Sequence, residues 1–307
     1  MVQGYANPEQ IAGGLHTRLY ARSFIVAEMQ DQSKRAVFVN LDACMASQAV
    51  TFTVIERLKD LFGNSMYSES NIILSGTHTH SGPAGYLQYV AYDITGLGFV
   101  KETFDALVEG IVLSIVRAHK DLQPGILHLG FGELTDANIN RSPTAYMQNP
   151  NEEKSMYEYN VDKNMTLLRL NDLAGRGLGA FSWFPVHGTS INNTNTLING
   201  DNKGTASLLM EETLGQNFVA AFCQSNVGDT SPNTLGAFCT DSGLPCDAIH
   251  STCNGRVQNC IGRGPAWPDD FKSSEIIASK QKDKAIELYN DPGAPGMFIS
   301  QQFFLNL

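Results

Sequence analysis

The stretch IILSGTHTHSGPAG, residues 72–85, sets an apolar run directly before two imidazoles spaced two positions apart. Ile72, Ile73 and Leu74 read as a buried strand, and the glycines with Pro83 read as the turn that ends it. In extended backbone, side chains alternate between faces, so His78 and His80 are expected on one side and Thr77 and Thr79 on the other. A rigid strand end carrying two neutral nitrogen donors, beside a loop able to bend around a substrate, is the kind of place where α/β enzymes build sites. Spacing alone leaves two readings open: a His-x-His metal site, or a pair of hydrogen-bonded structural histidines.

The rest of the chain has to supply the sheet. Apolar runs with strand character occur at residues 36–41, 72–75, 126–131, 167–170, 179–184 and 218–222. Helical patterns lie between some of them. Val54, Ile55, Leu58 and Phe62 form one apolar stripe, and Phe104, Leu107, Val108, Ile111 and Ile115 form another. Residues 207–213 and 274–289 read as two more helices, the second stopped by Asn290-Asp291-Pro292-Gly293. Strands alternating with helices predict an α/β fold, a mixed sheet with flanking helices. The closing run MFISQQFFLNL is strand-like and stops in mid-pattern, so the chain reads as truncated at both ends.

At 307 residues the chain can bury a sizeable core. A net charge of -10 and a pI near 5.1 exclude a nucleic-acid groove or a polybasic hold on anionic lipid, both of which need clustered Lys and Arg. No stretch reaches the apolar length of a membrane-spanning helix; the greasiest, ALVEGIVLSIV, carries Glu109. The opening MVQGYANPEQ has no signal-peptide pattern. Cys239, Cys246, Cys253 and Cys260 recur every seven residues in a Gly- and Asn-rich stretch with little apolar content. Without C-x-x-C pairs they read as two disulfides and hence an oxidising compartment. Cys44 and Cys223 sit in apolar segments and read as buried thiols. An oxidising loop without a leader predicts an incomplete N-terminus.

Among the seven histidines, His187 resembles His78 in ending a strand, FSWFPVHGTS, and two such imidazoles can converge at one sheet edge. His119 is expected in the last turn of a helix, where positive charge suits the macrodipole. His128 alternates away from Leu127 and Leu129 and is expected to face solvent. His16 and His250 have no companion motif. NVGDTSPN, residues 226–233, projects Ser231 from a strand-to-loop junction, which is either a site or an ordinary turn. INRSPTAY, residues 139–146, puts Arg141 in a loop. NGDNKGTAS, residues 199–207, looks like a phosphate cradle, but Lys203 precedes Gly204 where a P-loop needs the reverse order. Asn164 and Asn192 open glycosylation sequons that matter only in a secreted protein.

SGTHTHSGPAGY, INRSPTAY, the HG after FSWFPV, GDNKGTAS and NVGDTSPN, in this order, resemble the neutral ceramidases, zinc-dependent amidases that cleave ceramide into sphingosine and a fatty acid. The likeness runs from about Gly4 to Tyr289. It implies that His78 and His187 are zinc ligands, that His80 and Arg141 contact the polar head of the substrate, and that Ser231 is catalytic. It also implies the disulfides Cys239–Cys253 and Cys246–Cys260. Residues 1–307 then correspond to an incomplete N-terminal catalytic domain. Two further zinc ligands, a glutamate and a tyrosine, and an immunoglobulin-like C-terminal domain are expected beyond Leu307. The implied cofactor is one Zn²⁺ per site, the implied partner is ceramide, and nucleic acid is not expected. A secreted or lumenal location is implied, with room for a peripheral membrane contact through regions outside the chain. The competing expectation is a truncated, non-catalytic lipid-binding isoform that lacks part of the zinc site.

Overall fold

The computed structural model describes residues 1–215, 217–247, 249–291 and the backbone of 299–306. Its centre is an eight-stranded mixed sheet. The strands are β1 (Ala21–Glu28), β2 (Arg35–Leu41), β3 (Ile72–Gly76), β4 (Gln123–Glu133), β5 (Asn164–Asp172), β6 (Gly177–Trp183), β7 (Val219–Cys223) and β8 (Ile299–Asn306). They run in the order β7-β6-β5-β4-β8-β1-β2-β3. The outer pairs β2/β3 and β6/β7 are parallel and the other neighbours antiparallel. Four long helices flank it: α1 (Gln48–Phe62), α2 (Lys101–Lys120), α3 (Asp201–Leu214) and α4 (Asp270–Asn290). Pro292 and Gly293, expected to stop the last helix, lie outside the described residues.

Strand alternation shows how these pieces stack. In one half, Ile25, Val37, Val39 and Leu41 face the buried stripes of α1 and α2, Val54, Ile55 and Leu58 with Val108, Ile111 and Ile115. In the other half, Met165, Leu167, Ala180, Ala220 and Phe222 face α3 and α4. The opposite faces of both halves meet each other. Phe24 and Phe38 pack on Phe181, with ring centroids 4.7 and 5.2 Å apart, alongside Leu170 and Cys223. The sheet is therefore folded over, giving four layers, helices outside and two half-sheets inside. Asn40 Nδ2 crosses the inner layer to donate to Phe222 O at 3.1 Å. Arg22 of β1 also crosses, pairing with Asp42 and with Glu211 of α3. Arg22 and Asp42 are buried and Glu211 half-buried, and burying the first two is tolerable because each charge has a partner. Among the described residues no helix is long and apolar enough to cross a membrane.

Outside the layers, residues 236–263 form a ribbon, Gly236–Cys239 against Cys260–Arg263, closed by the Cys239–Cys253 and Cys246–Cys260 disulfides. Cys44 and Cys223 are free and buried. The cysteine loop has almost no apolar core, so the cross-links hold it. Each spans 14 residues, and closing such a stretch contributes up to about 3 kcal/mol. Reduction is therefore expected to speed trypsin cleavage at exposed Arg256 by roughly tenfold. Limited proteolysis read by mass spectrometry checks this; equal rates before and after reduction would contradict it.

Candidate metal centre

The site lies where the two half-sheets end side by side. β3 stops at Gly76, and the chain then follows the segment after β2: Thr77 N–H donates to Leu41 O and His78 N–H to Ala43 O. The HG segment after β6 runs alongside. Thr79 and Gly188 form an isolated parallel bridge, and His80 N–H donates to Gly188 O at 3.0 Å. Gln224, just past β7, closes the seam by donating Nε2–H to Thr77 O at 2.9 Å and to Val186 O at 2.6 Å. The approach is so close that a Cβ on Gly188 would lie 2.1 Å from His78 O.

This geometry corrects the alternation expected for THTH. His78 has φ 64°, the left-handed region, so the backbone there is turned and not extended. Its ring and that of His80 still meet, through the turn and not through strand periodicity. Gly82 and Pro83, expected as a turn, pair as a short strand with Val2 and Gln3.

Three imidazoles converge here. His78 Nε2 lies 3.0 Å from His187 Nε2 and 3.2 Å from His80 Nε2. The other nitrogen of two of these rings is committed: His78 Nδ1 is 2.8 Å from Cys44 O, and His187 Nδ1 is 3.1 Å from Val227 O. Carbonyls only accept, so each Nδ1 carries the hydrogen and each Nε2 is left with a bare lone pair. Two such lone pairs pointing at each other at 3.0 Å repel unless a cation sits between them. Nitrogens bound to one tetrahedral zinc at 2.0–2.1 Å are about 3.3 Å apart, close to what is observed, and backbone carbonyls are the usual outer partners of zinc-binding imidazoles. The donor set therefore fits zinc. His80 packs its ring on the edge of Tyr5, 4.7 Å away, and its buried Nδ1 has no hydrogen-bond partner among the described residues.

Burial also keeps the rings neutral. It pushes His80 down to about 2, helped by His78, His187 and Arg141, and His187 down to about 4, helped by His78 and Arg141 against the Val227 carbonyl. His78 is lowered too, first by burial, against the raising effect of the Cys44 carbonyl. An unfolded chain binds these protons near 6.5. Between that value and about 4 the unfolded state takes up protons that the folded site refuses, so stability falls as pH falls. The urea midpoint of metal-free protein is expected to drop over this window, and less so in His187→Gln. The same slope in both proteins would contradict it.

Cys44 Sγ lies 3.8 Å from His78 Nδ1, and potential ligand atoms of Cys44, His78 and His80 fall within 4.8 Å of one another. Burial pushes this thiol up to about 12. It sits beside the nitrogen that carries hydrogen, so it is a neutral neighbour of the imidazole trio and not its anionic ligand.

The two remaining motifs come together on one ribbon. Thr230–Ser231 pairs antiparallel with Ile139–Asn140, and Arg141 N–H donates to Asp229 O at 2.7 Å. The same loop supplies the Val227 carbonyl that holds His187. Ser231 is buried, and its Oγ accepts the Asn233 N–H at 3.2 Å. Arg141 is exposed, yet its charge lowers all three imidazoles.

The other histidines are elsewhere. His119 does end α2, but its Nδ1 faces Tyr67 OH at 2.7 Å and Arg35 Nη1 at 3.0 Å, and burial lowers its pKa. It is a neutral acceptor, and the expected charge on the helix dipole is absent. His128 is half-buried, and its pKa is lowered by burial and by Arg169. His16 packs on Phe271 and His250 bonds Asp247 at the surface. No motif marks out Tyr5, Gln224 or the Cys44 carbonyl in the sequence. A polar residue directly after the apolar run of β7 was the one available sign for Gln224.

Residues 1–304 match the family model described as neutral/alkaline non-lysosomal ceramidase, N-terminal. Neutral ceramidase B of Dictyostelium discoideum is 53% identical over 298 residues, covering 94% of this chain and 41% of that protein. Neutral ceramidase 1 of Arabidopsis thaliana is 47% identical over 358 residues, covering 94% and 46%. The crystal structure of neutral ceramidase from Pseudomonas aeruginosa superposes with a TM-score of 0.81 at 39% identity, covering 95% of this chain and 42% of that one. The chain thus spans less than half the length of these relatives. On this match, which takes in nearly all its residues, the chain belongs to the neutral/alkaline non-lysosomal ceramidase family.

Proposed function

We propose that residues 1–307 form the N-terminal catalytic portion of a zinc-dependent amidohydrolase that cleaves the N-acyl bond of ceramide to sphingosine and a fatty acid. The observation that carries this reading is the 3.0 Å approach of His78 Nε2 to His187 Nε2 while both Nδ1 atoms are tied to carbonyls. His78 and His187 would hold the metal, and the remaining family ligands, a glutamate and a tyrosine, would come from the rest of the full-length protein. Bound zinc supplies Lewis acidity toward an amide carbonyl and acidifies water near neutral pH.

The chain's own residues orient the reaction. His80, neutral at any working pH, acts as a hydrogen-bond partner for the amide and not as a competing cation. Arg141 stands at the rim as the fixed positive charge for the polar head of the substrate. Ser231 keeps its hydroxyl hydrogen free while its oxygen accepts the Asn233 N–H, which suits donation to a developing oxyanion. Its hydrogen-bond partner is a backbone amide, and among the described residues no imidazole bonds it as the base that would activate a serine nucleophile in the absence of metal coordination. That favours a supporting role for Ser231.

Stripping metal from the full-length enzyme with a chelator is expected to stop fatty-acid release from a fluorescent ceramide, and zinc to restore it. Undiminished hydrolysis by zinc-free protein would overturn the proposal. A secreted or lumenal location is part of the same reading, supported by the two disulfides of the 236–263 ribbon.

A further inference from the structure

The GDNKG stretch grips the loop that carries His187. Four consecutive carbonyls leaving β6 are each taken by a side-chain donor. Lys203 Nζ bonds Phe184 O at 2.8 Å, Asn138 Nδ2 bonds Pro185 O at 2.6 Å, Gln224 Nε2 bonds Val186 O at 2.6 Å, and Asn202 Nδ2 bonds His187 O at 2.9 Å. Behind them, Gln281 of α4 donates to Asn202 Oδ1 at 3.0 Å and accepts from Lys203 Nζ at 3.1 Å. Asn202, Lys203 and Gln281 are almost wholly buried. Among the described residues Lys203 has no carboxylate partner, and burial pushes its amine down to about 7. A core that needed only stability would fill this space with apolar groups, because an amine and two amides are costly to desolvate. The expense is understandable if the loop must be held at one position.

We propose that Asn202 and Lys203, at the start of α3, are positioning residues that fix His187 by gripping the carbonyls of Phe184 and His187, with Gln281 bracing both from α4. The inference rests on the reading of His187 as a metal ligand. Neighbouring Asp201 serves the same end. Its buried carboxylate accepts the N–H groups of Ser190 and Ile191, three and four residues past His187.

The test is zinc affinity, measured by competition with a chromophoric chelator, in full-length wild-type, Asn202→Ala and Gln281→Met proteins. Outer partners of a metal-binding histidine typically control about 10- to 100-fold in affinity. Asn202→Ala is expected to lose that much while its metal-free circular dichroism stays that of the wild type. Its kcat should fall with KM unchanged, and the ring ¹⁵N resonances of His187 should shift or broaden in metal-free protein. A folded Asn202→Ala with wild-type affinity and wild-type ring resonances would overturn the proposal. If Asn202→Ala does not fold, Gln281→Met, which keeps Asn202 and removes its brace, decides: a loss of roughly tenfold supports the grip, and wild-type affinity overturns it. Wild-type protein that binds no zinc would instead bring down the metal reading itself.

Discussion

Replacing His187 with alanine is expected to lower zinc affinity by roughly 10²- to 10³-fold. A four-ligand zinc site is worth about 10–16 kcal/mol at neutral pH, so the share of one ligand is about 2.5–4 kcal/mol, and each 1.4 kcal/mol is a factor of ten. His187 is a strong test because its ring is fixed by the Val227 carbonyl. Amide hydrolysis by the full-length enzyme should fall at least as far. His80→Ala, by contrast, should reduce turnover with a smaller change in affinity if its role is toward the substrate. The comparison is read by isothermal titration of metal-free protein and by fatty-acid release. Equal zinc affinity in wild type and His187→Ala would remove this residue from the coordination sphere.

Gly188→Ala is expected to destabilise the protein by at least about 3 kcal/mol, the upper range for overpacking. The added methyl would meet His78 O at 2.1 Å, His78 C at 2.7 Å and Thr79 Cα at 2.8 Å. All three are backbone atoms, so no rotamer change relieves the clash, and the two strand ends must separate. That separation removes the Thr79–Gly188 bridge and the His80 N–H to Gly188 O bond, and it pulls His187 away from His78. Stability and metal affinity should therefore fall as one, unlike in His187→Ala, where the fold is expected to persist. Urea midpoints and zinc titration on the same samples separate the two cases. A Gly188→Ala protein of normal stability would mean that the seam is looser than its distances indicate.

Much of the fold is legible in the residues. Six strands follow from apolar runs, because β-branched and aromatic clusters bounded by Gly, Asn and Asp have few other uses. β1, Ala21–Glu28, was missed because Arg22 and Ser23 interrupt its apolar pattern, and only the buried pairing of Arg22 with Asp42 and Glu211 explains them. α3 was expected from residue 207 but begins at Asp201. Its first turn is polar, glycine-bearing and buried in a hydrogen-bond network that no apolar periodicity can reveal. The folding-over of the sheet was equally hidden, since alternation tells which residues share a face and not what that face meets.

For the site, the strand-end positions of His78 and His187 could be read directly, but their meeting could not. It depends on Gln224 and Gly188, residue types too common to stand out, and on contacts between segments more than a hundred positions apart. The left-handed turn at His78 has no signature in THTH, since histidine adopts that conformation only when its surroundings impose it.

The two imidazoles that face each other come from opposite halves of the doubled sheet, 109 residues apart. Neither half, folded on its own, offers more than a fragment of the donor set. On the reading that His78 and His187 hold the metal, the pair can close on it only once the two halves have docked. Ion loading would then report finished assembly, since a misdocked polypeptide lacks the facing pair of His78 and His187.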